Sequence, residues 1–439
     1  MKSRTPNSDT QLALQRLNRV ILIGFTAVAL ALVYWSVARS DILTREDNPR
    51  VVEAELRIQR GPIMDRHDII LAENVGTPAR QQRLYPEPAA VAAVGYYSLR
   101  HGTAGVEESY DAILRGSATN FWTGLVRKTL HEPQVGQPVQ LTLDAGLQET
   151  AVTLLNGHSG ALLLLDLSQP GMADVLALAS TPTYDPNLLD EEFDDLLADE
   201  SAPLLNRVTQ GQYQPGLVLQ PFILAAALDQ GLINLEDTAA NANRNIPVNG
   251  VGIRCASPPP QPTTLADVLR YRCPGPMQEL ADRLGIAGLD QIFADFGLTT
   301  EPQFALDSTA PESEPIVDPL LAGIGQENLT VTPLQVGLAW AALMSNSRLP
   351  TPRLVTAVPP VSRSAIQPVS NSGEIIRQTL PQHEGITEYS RLVLSGPEGS
   401  TNGWYLGAMG RIVVVVVIEE SEQLTAVETM GRAILETAP

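Results

Sequence analysis

The segment QGQYQPGLVLQPFILAAALDQG, residues 210–231, is laid out like the turn and helix start that deliver a catalytic serine, yet it contains neither serine nor lysine. A serine there would attack a carbonyl, and a neighbouring amine would take its proton. The whole chain holds two lysines, Lys2 and Lys128; its other basic side chains, histidine aside, are arginines. Arginine stays protonated near neutral pH and accepts protons poorly, so a lysine-based mechanism would have to recruit Lys128. Other chemistries are no better supplied. Five scattered histidines and two cysteines show no metal-ligand spacing, and there is no GxxxxGK loop to cradle a phosphate. The sequence therefore implies no metal and no cofactor.

The elements that would hold such a site are legible in outline. A chain of 439 residues that is 44% hydrophobic can bury one large core or two, which predicts a folded multi-domain protein. Its formal charge of -20, with no cluster of Lys and Arg beyond the N-terminus, speaks against nucleic acid as a partner. Residues 20–38, VILIGFTAVALALVYWSVA, carry no charge and read as a transmembrane anchor with Tyr34 and Trp35 at an interfacial belt. Lys2, Arg4, Arg16 and Arg19 precede it, which places residues 1–19 in the cytoplasm and the bulk of the chain outside the cell membrane, a single-pass topology. A cleaved signal peptide is the alternative, since Ser36 and Ala38 give a small-x-small pattern, but the apolar run is longer than a signal core.

Beyond the anchor, RIQRGPIMDRHDIILAEN (57–74) reads as strand, turn, strand, with a helix following near YPEPAAVAAVGYYSL. Val139 to Leu143 alternate like a strand, and Asp144 is placed to cap a helix carrying Leu147, Ala151, Leu154 and Leu155. A domain boundary is expected near residue 156, so residues 39–156 form a small mixed module and 157–439 a larger domain. GALLLLDLSQPGMADVLALAS then predicts a hairpin buried on both faces. Ile412 to Ile418 read as a central strand, and Leu424, Val427, Met430, Ile434 and Leu435 line one side of a final helix. Strand pairs at both ends of the domain, with helices between, imply an α+β fold in which one sheet is covered by helices. The acidic run Asp190–Glu200 reads as a solvated helix face. An exported location permits a Cys255–Cys273 disulfide, two buried free thiols being the alternative.

Several of these segments resemble the class B penicillin-binding proteins, membrane-anchored transpeptidases that cross-link peptidoglycan. RGPIMDRHDIILAEN is similar to that family's RGxIxDRNGxxLA, and GTAGVEESYDAILRG to GxxGLExxYDxxLxG. VQLTLDAGLQETA, GALLLLDLSQPGMADVLALASTPTYDPN, LLNRVTQGQYQPG and GIGQENLTVTPLQVGLAWAAL follow further blocks in order. The resemblance implies a serine β-lactamase/transpeptidase-like domain, a mainly antiparallel sheet with helices on both faces, on an N-terminal pedestal. It also places the family's three short motifs. After Pro215 and Gly216, Leu217 stands at the serine of SxxK and Gln220 at its lysine. Leucine has no lone pair to offer, and glutamine cannot act as a base near neutral pH. In the frame TTLADVLRYRCPGPMQELADRLG, Arg272 and Pro274 stand at the serine and asparagine of SxN, with Cys273 between them. SGPEGS puts Pro397, Glu398 and Gly399 on KTG, ahead of NGWYLGA.

These substitutions lead to the expectation of a chain that is not an enzyme but a scaffold or regulator of envelope assembly, without catalytic residues. By resemblance, its partner would be a polytopic glycan polymerase contacting the anchor and pedestal. One alternative is noncovalent wall-peptide binding, with Arg272 as a carboxylate ligand; its rival is a closed groove in which Leu217 and Leu219 pack inward and Arg272 pairs with Glu398. Another is an active serine hydrolase in which Ser395 or Ser400 pairs with His383 and an acid such as Glu398. Serines beside glycines are more often turn residues, and a lone histidine more often a surface one.

Overall fold

Ile412–Ile418 and most of Gly160–Asp166 are apolar at every position, because both faces of the strands they form are covered. In the computed structural model, residues 8–34, 55–77, 80–117, 134–309, 315–356, 371–395 and 399–438 are described. The chain forms two compact units, residues 1–58 with 77–81 and residues 59–76 with 82–439. The first contains α1 (Ser8–Val33). Within it Gln15–Val33 has a mean hydropathy of 1.7 and none of it is buried, so this helix is long and apolar enough to cross a membrane. Residues 35–38 of the expected span, Trp35 included, lie outside the described residues, as do Lys2 and Lys128.

In the second unit, β1 (Ile63–Met64) lies between β2 (Ile70–Thr77), antiparallel to it, and β3 (Val139–Gln140), parallel to it. The strand read over Val139–Leu143 is shorter than its alternation suggested. Leu141 makes only an isolated bridge to Val355, and the chain then turns into α2 (Ala145–Leu155). Asp144 caps that helix by accepting from the backbone N–H groups of Gly146 and Leu147. The helix expected near Tyr85–Leu99 is brief, a 3-10 turn over Pro88–Ala90 and one helical turn over Val91–Val94. A buried ion network holds this region. Glu107 accepts from Arg60 at 2.8 Å and from Arg83 at 2.5 Å, and Arg60 also reaches Asp111 at 2.5 Å.

The main sheet is built from β4 (Gly160–Asp166), β5 (Met172–Thr181), β8 (Thr351–Arg353), β9 (Gln382–His383), β10 (Ile386–Ser395), β11 (Ser400–Met409) and β12 (Ile412–Ile418), with β6 (Ile246–Val248) and β7 (Val251–Ile253) forming a separate hairpin. The strand order is β8-β5-β4-β12-β11-β10-β9, antiparallel except for β8 beside β5. The two ends of the domain therefore meet in one sheet. The helices that follow β5 in sequence, a single turn over Pro319–Ala322 aside, are α3 (Leu189–Ala198), α4 (Gln220–Asp229), α5 (Leu265–Arg270), α6 (Gly275–Asp295), α7 (Pro333–Ser345), α8 (Ser372–Thr379) and α9 (Leu424–Thr437).

Alternate residues of the central strands serve different cores. Leu163, Leu165, Val413, Val415 and Val417 join the cluster that contains Phe222 of α4 and Trp340 of α7. Leu162, Leu164, Val414 and Val416 join Leu147, Ala151, Val427, Ile434 and Leu435 of α2 and α9. Helix α7 starts within TVTPLQ, where Thr332 and Gln335 exchange side-chain and backbone hydrogen bonds in a capping box and Pro333 takes the first turn. Its Trp340 Nε1 donates to the Gly407 carbonyl of β11 at 3.1 Å, fixing α7 against the sheet.

Candidate active site

Helix α4 is entered through a tight 3-10 turn, Gly216–Leu219, next to β10. Gly216 has φ +52°, and its N–H donates to the Gly325 carbonyl at 3.0 Å. A Cβ at this position would lie 2.6 Å from Val393 Cγ1 of β10, so glycine is required both by the backbone and by the neighbouring strand. The turn carries Leu217 into the interior, where it is 3% exposed, and Leu219 is fully buried.

Gln220, one turn further on, is also fully buried, and both its amide nitrogen and its amide oxygen are hydrogen-bonded. Its Nε2 donates to the Cys273 carbonyl at 3.1 Å. The Tyr389 hydroxyl of β10 lies 2.7 Å from Gln220 Oε1 and 2.9 Å from the Leu217 carbonyl, and its proton is shared between these two acceptors. Tyr389 is buried, and burial pushes its phenol well above the ordinary tyrosine range, with Arg272 and Arg391 pulling in the opposite direction. It is a neutral donor in this setting.

Arg272, Cys273 and Pro274 form the link between α5 and α6. Arg272 sits at φ +54° with its guanidinium 5.7 Å from the centroid of the Tyr389 ring. Cys273 is bonded to Cys255 in a disulfide, and Pro274 caps α6, its carbonyl accepting from Met277 and Gln278. The structure thus gathers Leu217, Gln220, Arg272 and Cys273 around one tyrosine that sequence reasoning passed over.

Pro397 and Glu398 lie outside the described residues, so the proposed Arg272–Glu398 pair lies there too. Gly399 follows at φ +77°, where a Cβ would be 3.1 Å from Val251 Cγ2. Along the turn itself β10 presents Tyr389 and Val393. The period-2 alternation of ITEYSRLVLS was the available signal. Tyr389, Arg391 and Val393 share one face, while Glu388 and Ser390 bond to Arg432 and Glu428 of α9 on the other. The Ser-His alternative does not assemble. His383 pairs with Ile386 at one end of β10 and Ser395 with Ser400 at the other, on the order of 30 Å away at strand spacing.

Comparison with known proteins decides what this architecture is. The penicillin binding protein transpeptidase domain matches residues 167–382, and the penicillin binding protein A dimerisation domain matches residues 60–139. The peptidoglycan D,D-transpeptidase PbpA of Mycolicibacterium smegmatis is 30% identical over 346 residues, which cover 71% of this chain and 68% of the relative. The chain belongs to the class B penicillin-binding proteins. The peptidoglycan D,D-transpeptidase MrdA of Haemophilus influenzae is 32% identical over 295 residues, 58% of this chain, so this chain spans less than half of that relative, 43% of its length. Penicillin-binding protein A from M. tuberculosis, solved as an imipenem acyl-enzyme complex, superposes with a TM-score of 0.76 over 88% of this chain and 99% of the other at 22% identity, which establishes the fold.

These relatives correct one expectation. The reading of the chain as not an enzyme is contradicted by penicillin-binding relatives that are named D,D-transpeptidases and by a structural neighbour captured as an acyl-enzyme. What the turn itself fixes is narrower. Leu217 carries no nucleophilic atom and Gln220 no base, so acyl transfer by this penicillin-binding protein would fall to other side chains.

Proposed function

We propose that this chain works in peptidoglycan synthesis as a membrane-anchored scaffold or regulator, through its anchor, its N-terminal module and the outer surface of its transpeptidase-family domain. In this reading α1 and the residues that follow it are the single span, Arg16 and Arg19 hold the N-terminus in the cytoplasm, and residues 157–439 face the wall. Residues 39–156 act as the pedestal, and the partner is a polytopic glycan polymerase that contacts pedestal and anchor.

One observation carries the reading: the junction of Leu217, Gln220 and Tyr389 is filled and hydrogen-bonded by the chain's own groups. A buried junction tied together by the chain's own hydrogen bonds favours one rigid arrangement of the domain, which suits a body that presents a fixed surface to a partner. The family relationship supports the compartment, and the match of residues 60–139 to a dimerisation domain supports an interaction role for the pedestal. The test is co-purification from detergent-solubilised membranes. Replacing residues 20–38 and 39–156 with an unrelated anchor and spacer is expected to release the polymerase; retention of every membrane partner by that chimera would sink the proposal.

A further inference from the structure

We infer that Arg272 and Arg391 form a binding site for a small oxyanion, a carboxylate or phosphate group, beside the Tyr389 phenol. Of the buried arginines among the described residues, Arg60, Arg83 and Arg207 each hold a carboxylate. Arg391 is equally buried, at 9% exposure, and holds none: one terminal nitrogen donates to the Arg254 carbonyl at 2.6 Å. Arg272 has a buried Nε without any hydrogen-bond partner, and no carboxylate pairs with it among the described residues.

Both cations flank the same ring, Arg391 two residues along the strand from Tyr389 on the same face and Arg272 with its guanidinium over the ring. Neither the phenol nor Gln220 can compensate them. The Tyr389 proton is committed to Leu217 and Gln220, and burial keeps that phenol uncharged. Burial lowers the Arg391 pKa from its ordinary value, Tyr389 opposes that shift, and Arg272 adds to it. A buried guanidinium, Arg391, beside the half-buried Arg272 is costly unless an anion joins them, and planar N–H forks match the two-oxygen edge of a carboxylate or phosphate. The inference goes beyond the scaffold reading, which needs no ligand at this place.

The experiment is calorimetric titration and thermal unfolding of the full-length protein in detergent with acetate and with inorganic phosphate, against sodium chloride at matched ionic strength. Wild type is expected to give saturable heat and a raised Tm with at least one oxyanion; a response to acetate alone identifies a carboxylate, and to phosphate alone a phosphate. Arg391→Gln and Arg272→Gln are each expected to weaken binding about tenfold or more, as loss of a charge-assisted hydrogen bond does, with Arg391→Lys in between. A wild type that responds to neither anion beyond chloride overturns the inference whether or not the variants fold, and so does a response undiminished in both glutamine variants.

Discussion

The Tyr389 hydroxyl reaches across from β10 to Gln220 Oε1 at 2.7 Å, and this contact ties the central sheet to the first turn of α4. The same proton serves the Leu217 carbonyl at 2.9 Å; removing the hydroxyl leaves Gln220 Oε1 without its donor, while the Leu217 carbonyl keeps the Gln220 backbone N–H. Tyr389→Phe is therefore expected to cost about 1–3 kcal/mol, the usual range for a buried polar group deprived of its partner. Thermal unfolding of the full-length protein reads this, and a Tm equal to wild type would show that water replaces the phenol.

Gly216 and Val393 are packed so closely that one methyl group is too many. An alanine at 216 would adopt the left-handed region at φ +52° and place its Cβ 2.6 Å from Val393 Cγ1. Gly216→Ala should lose about 2 kcal/mol or more, combining the backbone penalty with overpacking. Val393→Ala alone leaves a cavity in the core, but beside Gly216→Ala it relieves the clash, so the double variant should lose less than the sum of the two single losses. A double-mutant cycle with no positive coupling would place the clash elsewhere.

How much of this was readable in advance depended on which physical signal each residue leaves. Gly160–Asp166 and Ile412–Ile418 announced central strands because burial on both faces demands apolar side chains at every position. Asp144 announced a helix start because a cap needs a short acceptor. The site was legible only on its helix side, where Pro215 and Gly216 mark a turn. The strand side was missed because Tyr389 makes its contacts across 169 positions of sequence, a separation no local pattern encodes. Substitution alone was also a poor guide to activity, since family membership is carried by the frame and the relatives in that frame are named transpeptidases.

In the N-terminal module, Glu107 pairs with two arginines with no exposure of its own side chain, and Asp111 supplies the second negative charge. Arg60 is raised above its ordinary pKa even though burial, the largest influence, acts to lower it; Glu107 and Asp111 outweigh it. Glu107→Ala would strand the buried Arg83 guanidinium and leave Arg60 with Asp111 alone, a loss of about 3–5 kcal/mol for breaking a buried pair from one side. Glu374→Ala on α8 breaks a surface pair with Arg377 and serves as the control, with no measurable change expected. Comparable Tm values for the two variants would mean that the Arg60 and Arg83 charges find water on loss of Glu107.

Glu108 and Asp307 line a cleft with Tyr184 and Asn206, and the contribution of Glu108 to stability is expected to fall as pH rises through the acid range. Glu108 has a raised pKa, first because burial disfavours its charged form and second because of the Asp307 charge. A carboxyl that binds its proton more tightly folded than unfolded contributes stability that is fully present below its unfolded pKa and disappears as pH climbs through the higher folded one. Glu108→Gln should flatten that part of the Tm-against-pH curve just above the ordinary glutamate range. Asp307→Asn, which removes only the lesser cause, should flatten it in part. The curve of Glu108→Gln running parallel to wild type throughout that window would show that the group titrates alike in both states.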